Sequence, residues 1–223
     1  MKKAPISPWI KVCCIQSTDE AKIAADAGAT AIGLVSAMPS GPGPIPEATI
    51  ADIIAAAPAG LQTVLLTSAT TLANISDQVR RIGPRAVQLV DHVEADVITG
   101  LKSAFPSLTV IDVIHVQTED DIPIAVARSK LTDALLLDSG APQKAVKELG
   151  GTGRVHDWSL SRRIVDGADC PVWLAGGLNP DNVATAIQAV RPRGVDVCSG
   201  LRPNGLLDPS RLAAFAKTVA AAC

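Results

Sequence analysis

Aromatic side chains are almost absent: the chain has no tyrosine, two phenylalanines and three tryptophans, 2% of 223 residues. That scarcity leaves the core to Ala, Val, Leu and Ile, the bulk of a 48% hydrophobic content, and favours small-residue helices packed on branched strands. Charge of either sign is sparse as well. A net charge of -2 and a pI near 5.9 give no basic field for nucleic acid and no polybasic segment for a membrane surface. No run of about 18 uncharged apolar residues occurs, so no membrane span is expected. The opening Met1-Lys-Lys-Ala-Pro5 passes through Ile6 to Lys11 without the apolar stretch of a secretion signal. The five cysteines show neither a disulfide framework nor a zinc spacing. These absences predict a cytoplasmic protein with reduced thiols and no metal, acting on a small molecule.

What is present is a rhythm. Short branched runs alternate with Ala-rich helical stretches, without a linker or low-complexity break. The runs are roughly Ile10 to Ile15, Ala31 to Val35, Thr63 to Leu66, Ala86 to Leu89, Leu108 to His115, Ala134 to Asp138, Val172 to Ala175 and Val195 to Cys198. The first helix has a start signal in Ser17-Thr18-Asp19-Glu20 and ends at Gly28; the seventh reads as starting at Asn179-Pro180-Asp181. Eight βα cycles over residues 1–223 predict a single-domain α/β fold, a (β/α)8 TIM barrel, with an open doubly wound sheet as the alternative.

A barrel gathers its strand C-termini at one mouth. Cys13, Cys14, Val35, Gln88, His115, Asp138, Gly176 and Ser199 are expected there. Alternation along strands groups Lys11 with Cys13, and Leu136 with Asp138, and turns Cys14 away as packing. Asp138 closes an apolar strand on a carboxylate, and Cys13 ends another on a thiol; together they are a possible acid and base. The plainer reading of Cys13 is a small buried hydrophobe. Three glycine loops follow late strands: Gly150 to Gly153, Ala175 to Asn179, and Cys198 to Gly200. Gly151, Gly153, Gly176, Gly177, Ser199 and Gly200 are therefore candidates for a phosphate cradle, although barrel turns also use glycine for steric reasons alone. Lys11, Gln88, His115, Arg154 and Arg202 are possible pocket residues, the two arginines as cations on rim loops that could take a substrate carboxylate; Asp112 suits a structural hydrogen-bonded pair, and Cys170 and Cys223 look structural or exposed.

Taken in order, Lys11-Val-Cys13-Cys14-Ile15, Gly28 to Gly33, Val87-Gln-Leu89, Leu135 to Ser139, Gly150 to Gly153, Asp157-Trp158, Leu174 to Val183 and Gly194 to Gly200 closely resemble the phosphoribosylanthranilate isomerase family. The resemblance runs along nearly the whole chain. It implies a (β/α)8 barrel that converts an aminoaldose phosphate to an aminoketose phosphate in tryptophan biosynthesis, without a cofactor. By position it makes Cys13 the general base and Asp138 the general acid, with the glycine loops holding the phosphate. The partner implied is a phosphorylated small molecule, and the protein is expected as a monomer or a homodimer.

Three departures from the family pattern stand on the catalytic face. The family's Ser-Pro-Arg type segment, whose arginine holds the anthranilate carboxylate, is Met38-Pro-Ser-Gly-Pro-Gly-Pro-Ile45 here, and no arginine precedes Arg80. The glycine after the catalytic cysteine is Cys14. The histidine after Gln-Leu is replaced by Val90-Asp91-His92. Two alternatives stay open: a barrel isomerase for a different phosphorylated sugar, or a non-catalytic barrel that binds a phosphorylated metabolite.

Overall fold

Strands that are apolar on both faces need cover on both faces, and a closed parallel barrel wrapped in helices supplies it. A computed structural model describes residues 8–39, 41–139 and 157–222. Eight parallel strands close in sequence order, the first pairing with the eighth. They are β1 Trp9–Val12, β2 Ala31–Val35, β3 Gln62–Thr67, β4 Ala86–Leu89, β5 Thr109–His115, β6 Ala134–Asp138, β7 Val172–Leu174 and β8 Gly194–Val197. Between and after them lie α1 Thr18–Asp26, α2 Glu47–Ala56, α3 Leu72–Ile82, α4 Ala95–Ala104, α5 Asp121–Arg128, α6 Trp158–Gly167, α7 Val183–Val190 and α8 Pro209–Ala221, with a 3-10 turn at Ser199–Leu201. The barrel is the expected fold; the open sheet is excluded by the β1–β8 pairing.

Alternation splits the core into two layers. Ala31, Val64, Ala86, Ile111, Ala134, Leu136 and Trp173 cluster together inside the barrel. Ile32, Leu34, Leu65, Leu135, Leu137 and Leu174 join the layer under the helices. The interior is lined by small residues, and a tryptophan fills the space they leave. A Cβ at Gly194 would come within 2.7 Å of the Trp173 ring. Trp173 in turn meets Trp9 at 5.6 Å between ring centroids, and Arg193 lies 3.9 Å over Trp9. Two of the three tryptophans thus plug the end of the barrel opposite the mouth.

Helix starts follow local chemistry. Ser17 Oγ accepts from the Glu20 amide at 3.2 Å while the Glu20 carboxylate accepts from the Gln16 amide at 2.9 Å, a reciprocal cap on α1. Asp208 caps α8 on Ser210 and Arg211. The expected start of α7 at Asn179 is corrected: Asn179 Oδ1 accepts from the Asp181 and Asn182 amides, and Asn182 Oδ1 from the Asn179 amide. These side-chain bonds cap a turn over Asn179 to Asn182, and the regular helix begins only after it, at Val183.

Asp112 points from β5 toward the helices, where Arg128 of α5 grips it through Nε and through Nη2 at 3.0 Å; Arg128 Nη1 also donates to the Val93 carbonyl at 3.0 Å. This is the structural pair expected for Asp112. Because both groups are buried, Arg128→Met should strand a carboxylate and lower the unfolding free energy by about 3–5 kcal/mol. Urea denaturation reads this as a lower midpoint at unchanged slope. The Asp112→Leu/Arg128→Met double variant should recover most of the loss; a double variant as unstable as the single one would show that packing, not the stranded charge, sets the cost.

Candidate active site

The site begins with a charge pair beneath it. Lys11 of β1 has no solvent exposure, and its Nζ donates to Asp196 Oδ1 of β8 at 2.9 Å. The two residues face each other in the β1–β8 register, and neighbours at one level of a parallel sheet share a face. Burial pulls the Lys11 ammonium toward neutrality, but Asp196 more than offsets this, so its pKa is raised. Asp196 lines a cavity at the C-terminal mouth; Lys11 does not. The expectation that Lys11 lines the pocket is therefore corrected: it holds a pocket residue from below.

That cavity encloses about 670 Å3 including its open mouth. Cys13, Cys14, Val35, Gln88, Asp138, Gly176 and Ser199 all line it, so seven of the eight residues expected at the mouth meet there. His115 is the eighth and is not among the lining residues. It sits level with Asp138 in the β5–β6 register, and its Nε2 lies 3.2 Å from the Val90 carbonyl. Gln88 is buried, and its Oε1 has no partner among the described residues. Gly151, Gly153 and Arg154 lie outside the described residues.

The acid and the base are tuned in opposite directions. Burial pushes the Asp138 carboxyl above its ordinary range, against the charge of nearby His115 and a 2.7 Å hydrogen bond from the Ser139 amide. The Cys13 thiol is held below its ordinary value, first by the neighbouring Cys14 thiol and then by the Lys11 ammonium, against burial. A carboxyl that holds its proton more tightly than usual and a thiol that loses its proton more readily suit a general acid and a general base in one cavity.

Cys14 corrects the strand reading. β1 ends at Val12, and Cys14 adopts a left-handed φ of 62°, so strand alternation no longer governs it. Its thiol lines the cavity, touches Cys198 and donates to the Pro42 carbonyl at 3.5 Å. The segment after β2 folds back over it: Ile45 donates to the Val35 carbonyl at 3.0 Å, and a Cβ at Gly43 would come within 2.7 Å of the Cys14 Cβ. Met38, Gly41 and Pro42 of this segment form one wall.

The glycine loops divide into two kinds. Gly176 and Gly177 have φ values of 87° and 65°, and Asn182 Nδ2 fixes the Gly177 carbonyl at 3.0 Å. Among the described residues, the amides of Gly176, Gly177, Ser199 and Gly200 donate to no backbone carbonyl outside regular elements. Gly200, by contrast, does not line the cavity; its lack of a side chain lets the 3-10 turn press on the Leu178 carbonyl. Arg202 is corrected as a free cation. Its guanidinium holds the Glu20 carboxylate at 3.0 and 2.7 Å, and it is absent from the cavity wall.

Sequence reasoning missed Asp196 and Cys198 as site residues. A lone acid inside the Gly194-Val-Asp-Val197 run was a signal, because a charge in a buried strand needs a partner, and Lys11 was the other unmatched charge. Cys198 had been grouped with its glycine loop, and its thiol carried no signal of its own.

The sequence model described as N-(5'phosphoribosyl)anthranilate (PRA) isomerase matches residues 10–218. The chain belongs to that family. It is 38% identical over 199 residues to the N-(5'-phosphoribosyl)anthranilate isomerase of Haloferax volcanii, covering 88% of this chain and 85% of that one. It is 38% identical over 208 residues to isomerase 2 of Methanosarcina mazei, covering 92% and 91%. The phosphoribosyl anthranilate isomerase of Thermotoga maritima superposes with a TM-score of 0.82 at 28% identity, over 96% of this chain and 99% of that one. Another solved isomerase of the family, in complex with reduced 1-(o-carboxyphenylamino)-1-deoxyribulose 5-phosphate, superposes with a TM-score of 0.79 at 26% identity, over the same shares.

The raised pKa of Asp138 has a sign that stability reads. Its folded value lies above its unfolded value, so its favourable contribution is present below the ordinary carboxyl value of about 3.9 and is lost as pH rises through the folded value. Asp138→Asn keeps an acceptor for the Ser139 amide but cannot ionise. It should gain stability relative to the parent between pH 4 and pH 7 in urea denaturation. A difference that does not change with pH would contradict the raised value.

Proposed function

We propose that the chain isomerises N-(5'-phosphoribosyl)anthranilate to its aminoketose phosphate in tryptophan biosynthesis, as an intramolecular aldose–ketose oxidoreductase, with Asp138 as general acid and Cys13 as general base. The observation that carries this reading is the pair itself, Asp138 and Cys13 lining one cavity, with burial raising the pKa of the carboxyl, and the neighbouring thiol and ammonium lowering that of the cysteine. Asp138 gives its proton to the furanose ring oxygen, the ring opens, and the substrate nitrogen takes up the positive charge as an iminium. The neighbouring C–H becomes acidic and Cys13 removes its proton; the enolamine then tautomerises to the ketone. The substrate's nitrogen serves as the electron sink, so the chemistry calls for no cofactor. The amides of Gly176, Gly177 and Ser199, which line the cavity, suit the phosphate, since bare N–H groups after late barrel strands are anion sites. The family member from Thermotoga maritima described as dimeric supports a homodimer over a monomer here.

A second reading has one specific observation behind it. No Lys, Arg or His is among the described residues that line the cavity, so a carboxylate on the substrate meets no cation there. A barrel isomerase for another phosphorylated sugar would need none. Arg154, after β6 in the sequence, is the remaining candidate for the carboxylate.

Cys13→Ser should lower turnover of phosphoribosylanthranilate by roughly two or more orders of magnitude, the range for a lost positioned base, followed by the anthranilate fluorescence. Asp138→Asn should lose activity without losing affinity for a product analogue. Full activity in either folded variant would remove its role.

Arg154→Ala should raise KM with kcat little changed, the mark of lost uniform binding. Arg202→Ala should instead lower stability, because it strands Glu20. If ribulose phosphates without the aromatic acid turn over as well as phosphoribosylanthranilate, the second reading stands.

A further inference from the structure

Cys14 and Cys198 follow the ends of the neighbouring strands β1 and β8, and the Cys198 thiol points at the Cys14 sulfur across 2.7 Å. Both are free thiols, both line the cavity, and Cys198 is partly open to it while Cys14 is buried. A disulfide needs about 2.05 Å between sulfurs, so under an ångström separates the pair from a bond. The adjoining backbone is already fixed: the Cys13 amide donates to the Val197 carbonyl at 2.8 Å, and Gly43 closes over Cys14. A cysteine with φ of 62° occupies backbone that favours glycine, which places its sulfur against both Cys13 and Cys198.

We propose that Cys14 and Cys198 form a reversible disulfide in the wall of the active site, made by peroxide and undone by thiols, that switches off the base Cys13. Cys198, the more open sulfur, attacks a peroxide oxygen as thiolate; the O–O bond breaks, and the departing hydroxide takes the thiol proton as water. Cys14 sulfur then displaces hydroxide from the resulting sulfenic acid, and that hydroxide leaves as water with the Cys14 proton. Two S–H bonds become one S–S bond, and two electrons pass from the sulfurs to the peroxide. The reduced pair also bears on Cys13: the Cys14 thiol beside it is the first influence that lowers the Cys13 thiol, while Cys14 itself is pushed up by its contacts with Cys13 and then Cys198. A disulfide carries no S–H, so that influence on Cys13 is lost. The Cys13–Cys14 neighbours are the wrong pair to bridge, because adjacent residues close a strained ring.

The bond stands on geometry alone; its effect on catalysis rests on the role of Cys13 proposed above. Reduced protein is treated with hydrogen peroxide, free thiols are alkylated, and peptides are mapped by mass. The expected product links the Cys14 and Cys198 peptides and leaves Cys13 alkylated. The pH midpoint of Cys13 alkylation should move up, and kcat/KM near pH 7 should fall by about tenfold for each unit of that shift, both reversed by dithiothreitol. Cys198→Ser and, as a second control, Cys14→Gly should give no link and no reversible fall. Recovery of Cys14 and Cys198 as free thiols from peroxide-treated wild type overturns the proposal. A link with an unmoved Cys13 midpoint overturns the switch while leaving the bond. A link and a moved midpoint with no activity in the reduced protein overturns the reaction assigned above instead.

Discussion

The site depends on a lysine that water cannot reach. An ammonium buried without a counterion would shed its proton, since the cost of charge in a low-dielectric interior is several kcal/mol even after relaxation. Lys11 keeps its charge because Asp196 stands level with it across the seam where the barrel closes. That pairing fixes β1 against β8 in one register, since a slip of one residue would turn both charges away from each other. The seam carries Cys13 just above Lys11, and Cys198 just above Val197. Register, closure and the field on the catalytic thiol therefore share one cause.

A barrel with so few aromatics has to close with small residues. Gly33 shows the limit: a Cβ there would reach within 2.7 Å of the Cys13 sulfur, so the second strand leaves room for the thiol by having no side chain. At the opposite end Gly194 leaves room for Trp173 in the same way. One absence shapes the reactive mouth and the other seals the base of the barrel. The large rings are spent where no chemistry occurs.

Most of the fold was legible because its strands are buried on both faces, and such runs stand out even when their helices do not. The runs over Ala31–Val35, Ala86–Leu89 and Ala134–Asp138 were read to the residue. The other strands differ by one to three residues at an end: pairing stops before the apolar run does at Ile15 and Cys198, and runs one residue beyond it at Gln62 and Thr67. The start of α7 was misread because Asn179-Pro180-Asp181 carries helix-start chemistry that here closes side-chain turns. Cys14 was misplaced because alternation holds only while the backbone is extended. Arg202 looked free because sequence order does not show that Glu20, 182 positions away, lies beside it.

The wall that departs from the family pattern is also the wall that is most strained. A non-glycine residue in left-handed backbone costs roughly 1–2 kcal/mol, and Cys14 occupies such a position under a segment that exists only because Gly43 lets it approach. A glycine at position 14 would relieve the strain, yet it would remove the thiol that stands beside Cys13. With no positive side chain lining the described cavity, that neighbouring thiol is the first influence lowering the Cys13 thiol, ahead of the Lys11 charge below it. The strained cysteine and the reactive one therefore act together, and a change at position 14 should be felt at Cys13.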